Sequence, residues 1–265
     1  MSVSDVACPD ISAGLSVSGL SAWYGSSQVL HDVSFTLSRG DLCALVGVNG
    51  AGKSTLFKAI MGMVHSQGIC SFAGEGLPVA RKAGLVGYVP QSEDIDVMFP
   101  LRVRDVVMMG RYCHLGFTRR PSKHDRDTVE DALGRVGLSD LADRPLSQLS
   151  GGQRKRVFVA RGIAQQARLM LLDEPFAGVD KRSEGIICDL LASLASEGAI
   201  ILVAIHDLHM AREFFDRCLA IDGTIIAQGS AKEVLGDRNL LESFGLSEAG
   251  IGTAAHMVPI ETGAA

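Results

Sequence analysis

The chain has 265 residues, a formal net charge of −5 and 47% hydrophobic residues. The acidic balance weighs against a nucleic-acid binder, which usually carries a basic surplus, and no apolar run reaches the roughly 18 residues that cross a bilayer. Six cysteines (Cys8, Cys43, Cys70, Cys113, Cys188 and Cys218) include no C-x-x-C pair, so they read as scattered thiols rather than a disulfide framework or a zinc site.

Residues 1–12 read as a leader. They carry Asp5 and Asp10 but no basic segment or long apolar core, which predicts neither a signal peptide nor lipidation at Cys8 and places the chain in the cytoplasm. Apolar and polar residues alternate in Leu15–Leu20 and again around Val29–Leu30 and Val33–Leu37, the pattern of antiparallel strands. Between them, Trp23-Tyr24-Gly25 presents an aromatic some twenty residues before a glycine-rich loop. Such an aromatic either stacks on a base or turns a strand corner, and the residues alone leave both open. Arg39-Gly40 makes a turn, and Leu42–Val46 is a short apolar run suited to a buried strand.

Next comes Gly47-Val48-Asn49-Gly50-Ala51-Gly52-Lys53-Ser54-Thr55, which fits G-x-x-x-x-G-K-S, the phosphate-binding loop of nucleotide triphosphatases. The helix-like Leu56–Met61 follows it. A strand, a loop and a helix are what the motif needs, because loop N–H groups and the helix N-terminus together make an anion site. Gly47, Gly50 and Gly52 permit backbone shapes and approaches that a side chain would block. In this pattern Lys53 holds the β- and γ-phosphates, and the Ser54 hydroxyl is a ligand for Mg²⁺.

Residues 65–90 hold short strand-like pieces ending in Leu85–Val89, and Pro90 closes the last of them, leaving Gln91 at the start of a loop. From there the character changes. Val103–Met109 and Asp125–Val136 are helix-like and are separated by the polar stretch Thr118–Asp125, which predicts an inserted helical lobe. Leu149-Ser150-Gly151-Gly152-Gln153 leads into a helix over Arg154–Gln166. Leu169-Met170-Leu171-Leu172-Asp173-Glu174 reads as a buried strand whose two carboxylates emerge at its C-terminal end, where α/β sheets bind ligands. A helix is expected over Lys181–Ser196, closed by Gly198. Strand 199–205 then delivers His206, and residues 208–217 look helical. Leu219–Ala227 reads as a hairpin with an Asp-Gly turn, and Ala231–Phe244 as a helix. The Gly- and Ala-containing tail, 246–265, carries no assignment, and there is no internal repeat.

A phosphate loop with a strand ending in Asp173-Glu174 already argues for an ATPase. Asp173 is placed to hold Mg²⁺, Glu174 to act as general base on a water, and His206 to reach the γ-phosphate from another strand end. At Leu149 to Gln153 these residues resemble a family: L-S-G-G-Q is the signature of ABC ATPases, and the other elements follow in that family's order. Tyr24 matches its adenine-stacking aromatic, Gly47 to Thr55 its Walker A loop and Gln91 its Q-loop. Leu169 to Glu174 match Walker B, Ala177 to Asp180 the D-loop, and His206 the switch histidine.

The resemblance spans about residues 13–245. It implies an α/β P-loop NTPase cassette with a RecA-like core, an N-terminal antiparallel β subdomain and a helical subdomain inserted at about 92–160. It also implies ATP and Mg²⁺ as cofactors. Glu174, His206 and Gln91 would be catalytic, and Ser54, Gln91 and Asp173 would surround the metal. The nucleotide would be held by Tyr24, Gly47, Asn49, Gly50, Ala51, Gly52, Lys53, Ser54 and Thr55. Ser150, Gly151, Gly152, Gln153 and Asp180 would complete the site across a head-to-tail homodimer.

The stretches Phe99–Tyr112, Gln153–Arg161 and Asp173–Asp180 look like those of manganese, zinc and iron uptake ATPases. That implies integral membrane permease subunits as partners, an extracytoplasmic solute-binding protein indirectly, and a peripheral position on the inner face of the cell membrane. Siderophore, vitamin or other small-solute uptake is the alternative. A non-transport ABC protein is the weaker one, because no heptad run or second cassette lies between Lys53 and Ser150. Two departures from the family pattern are mild: Val48 stands where Pro is common and Ala177 where Ser or Thr is common, and neither removes a catalytic group.

Overall fold

Period-two burial in the first two strands builds an antiparallel sheet. The computed structural model describes residues 14–91 and 101–236. Strands β1 (Leu15–Tyr24) and β2 (Ser27–Leu37) pair antiparallel with Leu15 opposite Leu37. Leu15, Val17 and Leu20 are buried from one strand and Val33, Phe35 and Leu37 from the other. The next strand, β3 (Leu42–Val46), is buried at every residue, as befits a strand covered on both faces. It feeds the phosphate loop and then α1 (Lys53–Ile60). β4 (His65–Phe72) and β5 (Glu75–Gly76) return to the first sheet and complete the order β2-β1-β4-β5.

The next element differs from the expectation of strand-like pieces over 65–90. Leu77–Lys82 forms a helix, α2, with Pro78 in its opening turn, where a missing N–H breaks no intrahelical bond. Leu77 and Ala80, three apart, are its buried residues. β6 (Val86–Val89), α3 (Val103–Met109), α4 (Lys123–Arg135) and α5 (Gly151–Ala164) follow. α5 starts three residues before the expected Arg154. The reason is a reciprocal cap: the Gln153 N–H donates to Ser150 Oγ at 3.2 Å and the Ser150 N–H to Gln153 Oε1 at 2.9 Å.

Beyond it come β7 (Leu169–Asp173), α6 (Lys181–Ser196), β8 (Ile200–Ala204) and α7 (Leu208–Phe214). α7 ends short of residue 217 because Arg217 opens β9 (Arg217–Asp222), which lies parallel to β3. β10 (Thr224–Ser230) turns back on β9 through Gly223 at φ 68, as the Asp-Gly turn requires. Of the helix expected over Ala231–Phe244, the described part is α8 (Ala231–Val234). The leader, the tail, residues 237–245 and residues 92–100, including Phe99 and Pro100, lie outside the described residues.

The second sheet runs β10-β9-β3-β8-β7-β6, and its neighbours from β9 to β6 are parallel. Alternate residues of its strands enter different cores. Leu42, Ala44 and Val46 of β3 join Met170 and Leu172 of β7 against the helices α3 to α6. Cys43 and Leu45, with Leu169 and Leu171, face the antiparallel sheet and α1, through Phe35, Leu56, Phe57 and Ile60. The parallel sheet is therefore the middle layer, and its strand ends are held from both sides.

α4 is pinned to α3 and α5 by a buried ion pair. Arg111 Nε donates to Asp125 Oδ1 at 3.0 Å, with both side chains nearly inaccessible. Arg111 Nη1 also donates to Ala164 O and Gln166 Oε1. Hydrogen bonds from the Ser122 hydroxyl and backbone, with help from Arg111, lower the Asp125 pKa to about 2. A carboxyl depressed on folding stabilises above its unfolded range, and that stability is lost as pH falls through the folded value. Asp125→Ala leaves a buried guanidinium without its counterion and is expected to cost about 3–5 kcal/mol in urea unfolding at neutral pH. The gap between variant and parent should narrow, without vanishing, as the pH is lowered from about 4 towards 2.

Candidate functional site

Four parallel strands deliver the candidate residues to one edge. Gly47 follows β3, Gln91 lies two residues beyond β6, Glu174 follows β7 and His206 lies two residues beyond β8. Parallel strands of one sheet end on the same side, and α/β sheets bind ligands beyond those carboxyl ends. There the chain leaves a cleft of about 450 Å³ lined by residues 49–55 with Gln91, Glu174 and His206.

The loop residues take the shape the motif demands. Gly50 and Gly52 have φ 85 and 98, in the left-handed region that favours glycine. A Cβ on Gly47 would lie 2.4 Å from Ile221 O, and one on Gly52 2.5 Å from Leu30 Cδ2, so β9 and β2 close on the loop from behind. Gly52 caps α1 without a side chain, and the first-turn N–H groups of a helix have no partner within it, which suits them to an anion. Lys53 is 6% exposed, and its ammonium donates to Gly47 O at 2.7 Å and Val48 O at 3.2 Å. Burial pushes its pKa below the ordinary lysine range, while Glu174 and then Asp173 act in the opposite direction.

Asp173 is 3% exposed. Burial raises its pKa and the Glu174 charge adds to this, against lowering by Ser54, Lys53 and Tyr88. Tyr88 Oη reaches Oδ2 at 3.5 Å, whereas Oδ1 is buried with no hydrogen-bond partner among the described residues. A buried carboxylate oxygen left open beside the Ser54 hydroxyl is a donor set that fits a hard cation such as Mg²⁺.

Glu174 is held on every side. Gln91 Nε2 donates to its Oε2 at 2.8 Å, and His206 Nε2 meets its Oε1. Its backbone has φ 50, an uncommon left-handed conformation for a residue with a Cβ. Its N–H donates to Ala204 O at 3.1 Å, bonding the strand exit of β7 to β8. Gln91, Glu174 and His206, expected from three distant points of the sequence, are thus in direct contact.

Ser150, Gly151, Gly152, Gln153, Asp180 and Tyr24 are not among the residues lining this cleft. Ser150 is exposed at the N-terminus of α5. A Cβ on Gly152 would meet Ser183 Cβ at 2.9 Å, so the start of α5 packs closely on α6. Asp180 caps α6, accepting from the Ser183 N–H at 2.9 Å and the Ser183 hydroxyl at 2.8 Å, and these bonds lower its pKa. Tyr24 is half exposed at the end of β1.

Two side chains at the site were not singled out from sequence. Tyr88 reaches Asp173 from β6. Lys155, 6% exposed on α5, donates to Glu174 O at 2.6 Å and Ala177 O at 2.7 Å. A lysine on the apolar side of an otherwise amphipathic helix was the available signal, since buried charge demands partners.

The pattern of the ABC transporter family matches residues 30–177. The chelated iron transport system membrane protein YfeB of Yersinia pestis is 49% identical over 217 residues, covering 82% of this chain and 73% of that protein. The manganese transport system ATP-binding protein MntA of Synechocystis is 45% identical over 233 residues, covering 87% and 90%. Among solved structures, the ADP conformation of MJ1267, an ATP-binding cassette of an ABC transporter, superposes with a TM-score of 0.76 at 25% identity, covering 86% of this chain and 96% of that one.

Proposed function

Since this chain belongs to the ABC transporter family and is one of its ATPases, we propose that it energises a membrane importer of divalent metal ions, manganese, zinc or iron, as a head-to-tail dimer. The observation that carries the ATPase chemistry is the contact of Gln91 and His206 with Glu174 beside the phosphate loop. The Lys53 ammonium exchanges its bonds to Gly47 O and Val48 O for phosphate oxygens, and the loop amides and the N-terminus of α1 take the remaining charge. Glu174 accepts a proton from the attacking water, while Gln91 and His206 fix the angle of its carboxylate. Ser54, Asp173 and Gln91 would hold Mg²⁺, which would supply positive charge against the phosphates. Tyr24 offers its exposed ring to the adenine.

Ser150, Gly151 and Gly152 offer an anion site at the start of α5, apart from the residues that line the chain's own cleft. A second copy turned head to tail would bring that site onto the γ-phosphate held by Lys53, with Gln153 and Asp180 ordering the two helix starts. Among the described residues no helix is long and apolar enough to cross a membrane. The proposed position is peripheral, on the cytoplasmic face, with α3 and the groove between α3 and α4 turned to the permease. That groove, about 250 Å³, is lined by Arg104, Met108, Arg126 and Leu133 among others, a mixed surface suited to an amphipathic helix.

Metal as cargo rests on the manganese and chelated-iron relatives and on the Phe99–Tyr112, Gln153–Arg161 and Asp173–Asp180 stretches. The test is reconstitution with the permease subunits of a manganese, zinc or iron importer from the same organism. Stable complex formation and ATP-dependent uptake of Mn²⁺, Zn²⁺ or iron are expected. Failure to form the complex sinks the importer reading. Uptake confined to chelated iron or an organic solute replaces the free ion as cargo.

A further inference from the structure

Lys155 sits four residues into α5, and its ammonium is buried beneath the turn that follows β7. It donates to two carbonyls of that turn, Glu174 O at 2.6 Å and Ala177 O at 2.7 Å. The turn has its own bond from the Ala177 N–H to Glu174 O, at 3.3 Å. Glu174 is thus fixed at three points: its N–H on β8, its carbonyl on Lys155, and its carboxylate between Gln91 and His206. The middle point matters most, because φ 50 is a conformation that a glutamate leaves unless its surroundings hold it. Rotation back to negative φ would swing the carboxylate away from the cleft. A charged donor to two carbonyls resists this more strongly than a neutral one would.

The same lysine belongs to the helix that begins at Ser150. We propose that Lys155 is a positioning residue for hydrolysis, holding the Glu174 backbone in its left-handed conformation and joining the helix start offered to one nucleotide to the carboxylate that serves the other. Movement of α5 as a second copy docks is transmitted through the ammonium to the turn 174–177. This rests on the reading of Glu174 as base and Ser150 as a contributor to the neighbouring site.

The experiment is a double-mutant cycle on the full chain with Lys155→Met and Glu174→Gln, read as kcat and KM for ATP and, for the slow variants, as single-turnover rates. Methionine keeps the length and apolar stem of the side chain and removes its donors. Lys155→Met is expected to lower kcat by about tenfold or more, with KM within about twofold, since misplacement of a reacting group costs rate rather than ground-state binding. In the Glu174→Gln background the same change should cost less than about twofold, because the carboxylate it positions is already gone. A packing role alone would instead slow both backgrounds equally, and that result overturns the proposal. So does Lys155→Met turning over at the parental rate. If Glu174→Gln itself keeps full turnover, it is the assignment of the base that fails. ATP affinity checks the fold, and Lys155→Leu, which likewise has no donor, takes the place of the methionine variant in the cycle if that variant does not fold.

Discussion

Glu174→Gln is expected to slow ATP hydrolysis by about 10²–10⁴-fold, the range a positioned general base supplies, while ATP affinity stays intact. The amide is isosteric and keeps contact with Gln91 and His206, so the cleft retains its shape. It cannot take a proton from water. It also removes a negative charge from the neighbourhood of Lys53 and Asp173, both of which respond to Glu174. Loss of that charge eases the crowding of anions when a triphosphate enters, so the variant should accumulate with ATP bound and the dimer closed. Size-exclusion chromatography with ATP checks the closed dimer, and a phosphate-release assay checks turnover. Full turnover would remove Glu174 from the mechanism.

The second large effect is a recovery. Lys53→Met removes the phosphate-binding cation, and Ser150→Asp keeps a good helix cap but sets a carboxylate where the γ-phosphate of a neighbour would lie. Each variant alone should fall below about one-hundredth of the parental rate. In a head-to-tail dimer of one copy of each, one site loses both groups and the other keeps both. An equal mixture should therefore regain about a quarter of the parental activity if copies pair at random. Tandem affinity tags isolate the mixed dimers, and on that fraction the rate should be about half the parental one, one of two sites being intact. Mixed dimers as inactive as their parents would show that Ser150 and Lys53 do not share a site across two chains.

The parts legible in the sequence are those whose chemistry is local. Gly47–Thr55 could be read because backbone approach and left-handed turns restrict residue type position by position, and φ 85 and 98 at Gly50 and Gly52 bear that out. β3, β7 and β8 could be read because strands covered on both faces must be apolar along their length, with Asp173 only at the ligand end of β7. Leu77–Lys82 was harder, since six residues carry too little periodicity to separate a helix from a strand. The start of α5 was written in Ser150 and Gln153 as a reciprocal cap, yet two glycines between them hid it. Lys155 and the Arg111–Asp125 pair lay out of reach for another reason. Their partners are 14 to 55 residues away, and only the packing of α5 against the turn and of α4 against its neighbours shows which charges are buried together.

The cap at Ser150 has a further consequence. Its oxygen already accepts from the Gln153 N–H, which fixes the side-chain rotamer and leaves the hydroxyl hydrogen as the group still to be satisfied. If Ser150 meets a neighbour's phosphate as proposed, that phosphate finds a donor already oriented, and little rotamer entropy remains to be lost on contact. In the proposed dimer, closure would then be governed by whether the triphosphate is present, not by how slowly the helix start organises itself. That is how a joint should behave if it must close on ATP and let go of ADP within each turnover.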